Sequence, residues 1–190
     1  MGIEKRNGDN VMTDAEGNKI EFVLNVRIGY EARDKTAMLI ASDLEKIGIH
    51  VILQQLEFNT LIAKLDETRD YDCALLGTYF YFPDPVDSLS LIKSSDFATP
   101  WFPLQKTPST DWEARLDYLM DAQMKTLDSA ERKKDFDEVQ EILAEQVPLI
   151  YTVTPFYYAA IRSDIGNIRP TALSYYCVTW KAEELYFKNK

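Results

Sequence analysis

Three short apolar runs, at residues 20–26, 49–56 and 73–76, are separated by two stretches whose apolar residues recur at helical spacing. That alternation restricts the fold more than any other feature of the chain. In the first interval Ala37, Ile40, Ala41, Leu44 and Ile47 share one face of a helix predicted over residues 35–47. Asp34 is placed to cap it and Gly48 stands where a C′ glycine belongs. In the second, Asn59 is placed to cap a shorter helix carrying Leu61, Ile62 and Leu65. The order β-α-β-α-β predicts parallel strands joined by right-handed crossovers. The expected class is therefore α/β, with a mixed, mostly parallel sheet flanked by helices.

The third run, which reads as a short buried strand, leads into Gly77-Thr78-Tyr79-Phe80-Tyr81-Phe82-Pro83-Asp84-Pro85. Pro83 and Pro85 have no backbone N–H to donate, so pairing must stop there. Four rings, Tyr79, Phe80, Tyr81 and Phe82, then follow the carboxyl end of a strand, where ligands sit in open α/β sheets. Each ring has two readings at this stage, a ligand contact or a core residue, because alternate positions of a strand end face inward.

From residue 83 to 108 the periodicity is lost and five prolines intervene, with Trp101 and Phe102 among them. An irregular stretch this long inside a domain usually carries function. Two helices follow. Thr110-x-x-Glu113 precedes a face of Trp112, Leu116, Leu119 and Met120, and Asp128-x-x-Glu131 precedes Phe136, Val139, Ile142, Leu143 and Val147. Pro148 ends the second. Residues 149–154 and 157–162 read as strands divided by Pro155. Residues 7–18 resemble a calcium loop only superficially. Val11 breaks the run of oxygen ligands and no glycine stands at the sixth position, so turns are expected instead.

The formal net charge of -10 argues against nucleic acid or an anionic membrane as partner, since both need clustered Lys and Arg. No apolar run reaches the roughly 18 residues of a membrane helix. The charged start of the chain has no signal-peptide core, so no export signal is expected within these residues. Cys73 and Cys177 permit one disulfide without demanding it, and Cys73 is read as a core residue. His50 is the sole histidine, which disfavours a His/Cys metal site and a Ser-His or Cys-His nucleophile. Phosphate-cradling glycine loops are absent. No cofactor and no metal are expected. Asp84 and Asp87 form the acidic pair worth testing for hydrolysis, against the reading that Asp84 caps a turn. The chain is thus equipped to bind rather than to react, and no enzymatic activity is expected.

Several segments, in order, resemble the C-terminal lobe of family 5 extracellular solute-binding proteins, the oligopeptide, dipeptide and nickel receptors of ABC importers. They are residues 17–22 and 41–51, Tyr71-Asp72 with Gly77, Pro83-Asp84-Pro85, Glu131-Arg132, and residues 140–151 and 160–167. The resemblance implies a periplasmic-binding-protein-like lobe over residues 1–165. Residues 166–190 would then be an extension that packs on an N-terminal lobe outside this chain. It also implies a periplasmic or extracellular place, membrane-associated in the full-length protein, and two partners, a peptide or other small solute and an ABC permease. The ligand contacts expected from it are Thr78, Tyr79, Tyr81, Phe82 and Asp84, with Trp101 and Phe102 as further candidates. In peptide-binding members, a Gly-Trp strand end leads to an Asp that pairs with the peptide α-ammonium. Here Thr78 stands for the Trp and Tyr81 for the Asp. A phenol with a pKa of about 10 cannot neutralise an ammonium. A sugar, a blocked peptide or another amphipathic solute is expected instead. The alternative reading is a sensory or regulatory domain of the same fold.

Overall fold

A computed structural model describes residues 5–6, 10–78, 84–154, 156, 158–171 and 178–188. They form two compact units, residues 1–78 and 79–190.

The first unit opens with a two-stranded antiparallel ribbon, β1 (Lys5–Arg6) and β2 (Met12–Thr13). Beyond it a tight turn forms because the Asp14 carboxylate accepts the amide N–H groups of Glu16 and Asn18, at 2.9 and 2.8 Å. Gly17 supplies the positive φ of +90°. Of the turns expected over residues 7–18, this one is observed. Then come β3 (Glu21–Arg27), α1 (Glu31–Lys46), β4 (His50–Leu56), α2 (Phe58–Ile62) with a π-helical continuation over Ala63–Thr68, and β5 (Cys73–Leu75). The strands lie in the order β4-β3-β5, all parallel, with Leu24 beside Leu53 and Cys73. The β-α-β-α-β reading is therefore the observed one.

On the α1 face, Leu24, Val26, Ala37, Ala41 and Val51 form the core, with Phe22, Ile40, Leu44, Cys73 and Leu75 packed against it. A fully buried Leu or Val side chain contributes roughly 1.5–3 kcal/mol, so this small cluster carries much of the unit's stability. Gly48, at φ +90°, ends the α1 connection, and a Cβ there would stand 2.5 Å from Met12 Cγ.

Three local expectations fail, each for a physical reason. α1 starts at Glu31, and Asp34 accepts a hydrogen bond from Gln55 Nε2 at 3.0 Å, so a tertiary contact replaces the expected cap. Glu57, not Asn59, caps α2, its carboxylate accepting the Asn59 N–H at 3.2 Å. β5 is half-buried, not buried, because it is an edge strand.

The second unit begins with a 3-10 turn over Pro85–Ser88 and α3 (Leu89–Ile92), followed by α4 (Asp111–Gln123) and α5 (Ser129–Gln146). Ile92, Leu116, Leu119, Met120, Val139 and Leu143 make its core. Thr110 Oγ1 accepts the Glu113 N–H, and Asp128 Oδ1 accepts those of Ala130 and Glu131, so both predicted caps are made. Val147 takes φ +48° immediately before Pro148, which closes α5. The strands expected over residues 149–154 and 157–162 are not formed among the described residues. Their apolar residues have no strand beside them, and Ile150, Tyr151, Val153, Phe156 and Tyr158 stand exposed. Instead β6 (Ile165–Gly166) pairs antiparallel with β7 (Tyr186–Phe187).

Candidate functional site

The carboxyl ends of β3, β4 and β5 bring Arg27, Leu56 and Leu75 to one edge of the sheet. The segments that leave this edge carry side chains of one character. Gly29, at φ +91°, turns the chain from β3 into α1 and sets Tyr30 and Arg33 at the helix start. Phe58 opens α2 two residues after β4. The Ile28 N–H bonds to the Leu56 carbonyl at 2.9 Å and ties the two exits together.

These residues form a cation–aromatic cluster. Arg27 Cζ lies 4.7 Å from the Tyr30 ring centre and 4.4 Å from that of Phe58. Arg33 Cζ lies 4.6 Å from the same Tyr30 ring. Both are within cation–π range, where each contact contributes about 0.5–1 kcal/mol at an exposed site. Arg27 Nη1 also points to Tyr30 Oη at 3.5 Å, a long hydrogen bond. Arg33 lies close to the chain leaving β5, for a Cβ at Gly77 would meet Arg33 Nη2 at 2.5 Å. Tyr30 is 42% and Phe58 39% exposed, so the rings are available from solvent. Within β3 Asn25 is fully buried. Its Nδ2 donates to the Cys73 carbonyl at 3.0 Å, and its Oδ1 has no partner.

Of the residues the sequence selected, Thr78 joins this edge, exposed and next to Gly77. Tyr79, Tyr81 and Phe82 lie outside the described residues, as does Cys177. Asp84, Trp101 and Phe102 belong to the second unit. Asp84 Oδ1 accepts the Val86 N–H at 2.9 Å, capping the 3-10 turn, and accepts from Arg132 Nη2 at 2.7 Å. The Arg132 hydrogen bond, then that of Val86, holds its carboxyl below the usual carboxylate range. An ionised, capped carboxylate suits the turn-capping reading and not a proton-donating acid.

Trp101 packs on the helical core, its ring centre 5.7 Å from that of Trp112, and its Nε1 donates to Glu113 Oε1 at 3.0 Å. Phe102 is half-buried and its carbonyl accepts from Gln105 Nε2 at 3.1 Å. Glu113 also accepts from Gln105 Nε2 at 2.7 Å and Thr110 Oγ1 at 2.8 Å. Burial pushes its carboxyl up, and these donors more than offset it, leaving it below the ordinary range. Among the described residues no group of three or more His, Cys, Asp or Glu could hold a metal ion, and no helix is long and apolar enough to cross a membrane.

Sequence reasoning missed Arg27, Tyr30, Arg33 and Phe58. The signal was present in Arg27-x-x-Tyr30-x-x-Arg33, which starts on the last residue of a strand, and in Phe58 just beyond the next one.

Comparison with known proteins follows this geometry. The profile of the bacterial extracellular solute-binding proteins, family 5 Middle, matches residues 1–100. The oligopeptide-binding protein AppA of Bacillus subtilis is 25% identical over 172 residues, 88% of this chain and 30% of that protein. A probable ABC transporter-binding protein of Deinococcus radiodurans is 27% identical over 82 residues, 40% of this chain and 14% of that one. Among solved structures, Bacillus subtilis AppA in complex with a nonapeptide superposes with a TM-score of 0.66 at 21% identity, over 98% of this chain and 35% of that chain. NikZ from Campylobacter jejuni, in complex with Ni(L-His), gives 0.66 at 19%, over 95% and 36%. MelB from Agrobacterium fabrum, in complex with stachyose, gives 0.65 at 15%, over 77% and 23%. The α/β fold is thus that of periplasmic binding proteins, and the chain spans about a third or less of the length of these relatives.

Proposed function

This chain belongs to the bacterial extracellular solute-binding proteins of family 5, a family of receptors and not of enzymes, and we propose from that premise that it supplies one wall of a two-lobed receptor for an ABC importer. The solute rests against the carboxyl edge of the β4-β3-β5 sheet. The observation that carries this reading is the convergence of Arg27, Tyr30, Arg33 and Phe58 there, with Gly77 and Thr78. Aromatic faces cover the apolar side of a solute and guanidinium groups bind its polar groups, the usual division of labour in a small-molecule site. The aromatic run at Tyr79, Tyr81 and Phe82 continues from this edge in sequence.

The other wall would come from a second lobe, and the extension at residues 166–171 and 178–188 is the part of this chain proposed to meet it. Ligand closes the two lobes by favouring the closed member of a pre-existing pair of states. The closed receptor then docks on its permease outside the cytoplasmic membrane.

The test is a thermal-shift and calorimetric screen of the full-length receptor against peptides and oligosaccharides. A solute at a hundred times its Kd adds about 2.7 kcal/mol of stability. The expected result is at least one binder whose affinity drops tenfold or more in Tyr30→Ala and Phe58→Ala. Unchanged affinity in both variants would remove the site from this edge.

A further inference from the structure

β4 is a seven-residue edge strand whose outer side is unpaired among the described residues. Its register with β3 runs from His50 to Leu56 without a bulge. The His50 N–H bonds to the Ile20 carbonyl at 3.0 Å, and the Leu56 carbonyl accepts the Ile28 N–H at 2.9 Å. In a parallel pair the N–H and C=O of one residue point to the same side, and successive residues alternate. Residues 50, 52, 54 and 56 therefore bond toward β3. Val51, Leu53 and Gln55 turn their N–H and C=O groups outward.

Natural edges are guarded by a charge, a proline, a bulge or a very short strand. Residues 51–55 carry none of these, in a chain that is 27% charged. Ile52 and Leu53 are instead 44% and 39% exposed. Asp34 of α1 and Lys64 of the π-helical segment are bonded to Gln55 and Gln54, at 3.0 and 3.4 Å. The strand is also its own complement. Set antiparallel to a second copy about Leu53, it opposes Leu53 to Leu53, Val51 to Gln55 and Ile52 to Gln54. Every outward N–H and C=O then meets a partner, and no pair sets like charges together. The formal charge of -10 on each copy is thus kept out of the joint.

We infer that β4 is a dimer joint, at which two copies of this chain continue one sheet across a two-fold axis. Such an isologous contact closes on itself and does not propagate. It runs along the side of the sheet, whereas the solute wall lies at the strand ends. Each copy keeps its own wall, and neither reading depends on the other.

The experiment is sedimentation velocity of the full-length receptor from about 1 to 100 µM, because association follows mass action. The expected result is a mass that rises toward twice that of the monomer. Leu53→Lys and Leu53→Pro should each weaken association about tenfold or more. The proline removes an outward N–H and no bond to β3. Leu39→Lys, at a 66% exposed position of α1, should change nothing. Cross-linking reads the register without depending on those variants. With Cys73→Ser and Cys177→Ser in place, Leu53→Cys meets its own copy at a Cα–Cα distance of about 5.5 Å, within disulfide reach. It should oxidise to a covalent dimer about tenfold faster than Ile52→Cys or Gln55→Cys. A receptor still monomeric at about 100 µM, a dimer indifferent to Leu53→Lys, or equal cross-linking at the three positions overturns the inference and leaves the solute wall standing.

Discussion

Glu113 is the acceptor on which the irregular stretch after α3 closes onto the helix pair, and removing its charge should have a calculable cost. The side chain is 3% exposed. Its Oε1 takes the N–H groups of Trp101 and Gln105, at 3.0 and 2.7 Å, and its Oε2 takes the Thr110 hydroxyl at 2.8 Å. In Glu113→Gln the amide oxygen can keep both Oε1 donors. The NH2 then faces Thr110, whose hydroxyl can turn to accept. What is lost is charge assistance, about 1–2 kcal/mol. Glu113→Ala leaves two buried donors unpaired and a void, about 3–4 kcal/mol in total. At roughly 2–4 °C per kcal/mol for a chain of this size, the alanine variant should melt about 6–16 °C below the parent.

The charge also fixes a pH signature. The folded carboxyl lies below its ordinary value near 4.5. Its stabilisation is therefore complete above that value and is lost as pH falls through the folded-state value. The parent should exceed Glu113→Gln by its full margin at pH 6, and the margin should shrink steadily below pH 4.5. Urea denaturation of both proteins across that range is the assay. Equal small effects of Gln and Ala, or a margin that does not shrink in acid, would refute the hydrogen-bond hub.

Further outcomes follow from single sites. Leu119, 1% exposed in the α4–α5 core, should cost about 3 kcal/mol as Leu119→Ala, read by urea midpoint. Asp84→Asn, which keeps the Val86 cap but loses the ion pair to half-exposed Arg132, should cost under about 1 kcal/mol at pH 7. Because the Arg132 hydrogen bond lowers the Asp84 carboxyl, that small difference should be present above its unfolded value and vanish as pH falls through the folded one. Dipeptides with a free amine should leave the melting point of the full-length receptor unchanged, since the sequence resemblance sets Tyr81 at the position of the Asp that pairs with a peptide ammonium. A rise of several degrees would reject that argument.

The sheet was legible because its period-2 runs and helical faces agree with the tertiary contacts. Leu24, Val26, Ala37, Ala41 and Val51 all fall where the pattern puts a core. Caps were legible where nothing competed, at Thr110 and Asp128. They were not at Asp34 and Asn59, where Gln55 and Glu57 offered better partners from outside the local window. The strands read at residues 149–162 show the limit of pattern alone. Alternation marks a segment able to pair, and pairing needs a neighbour that is not found among the described residues. Of the candidate site, Thr78 was selected by its place after a strand. Arg27, Tyr30, Arg33 and Phe58 were not, because they are scattered over two strand exits and only the parallel order of β3 and β4 makes them neighbours. Trp101 was selected for its proline-rich setting, and the helical core is where its indole is spent.

Structures that share this fold at 15–21% identity hold a nonapeptide, Ni(L-His) and stachyose. A scaffold compatible with such different solutes cannot itself set the choice, so in those proteins selectivity sits on residues the core does not need. The exits of β3 and β4 meet that condition. The core residues Leu24, Val26 and Val51 precede them, whereas Arg27, Tyr30 and Phe58 lie at or past the strand ends. The double variant Arg27→Thr with Arg33→Thr loses three cation–π contacts, about 0.5–1 kcal/mol each at exposed sites, and is relieved of the repulsion between the two charges. The net cost should be about 1 kcal/mol in a urea titration, with the denaturant slope unchanged. A loss above about 3 kcal/mol would make the arginine pair a structural clamp for the β3–β4 edge, and the solute wall would then need another set of residues.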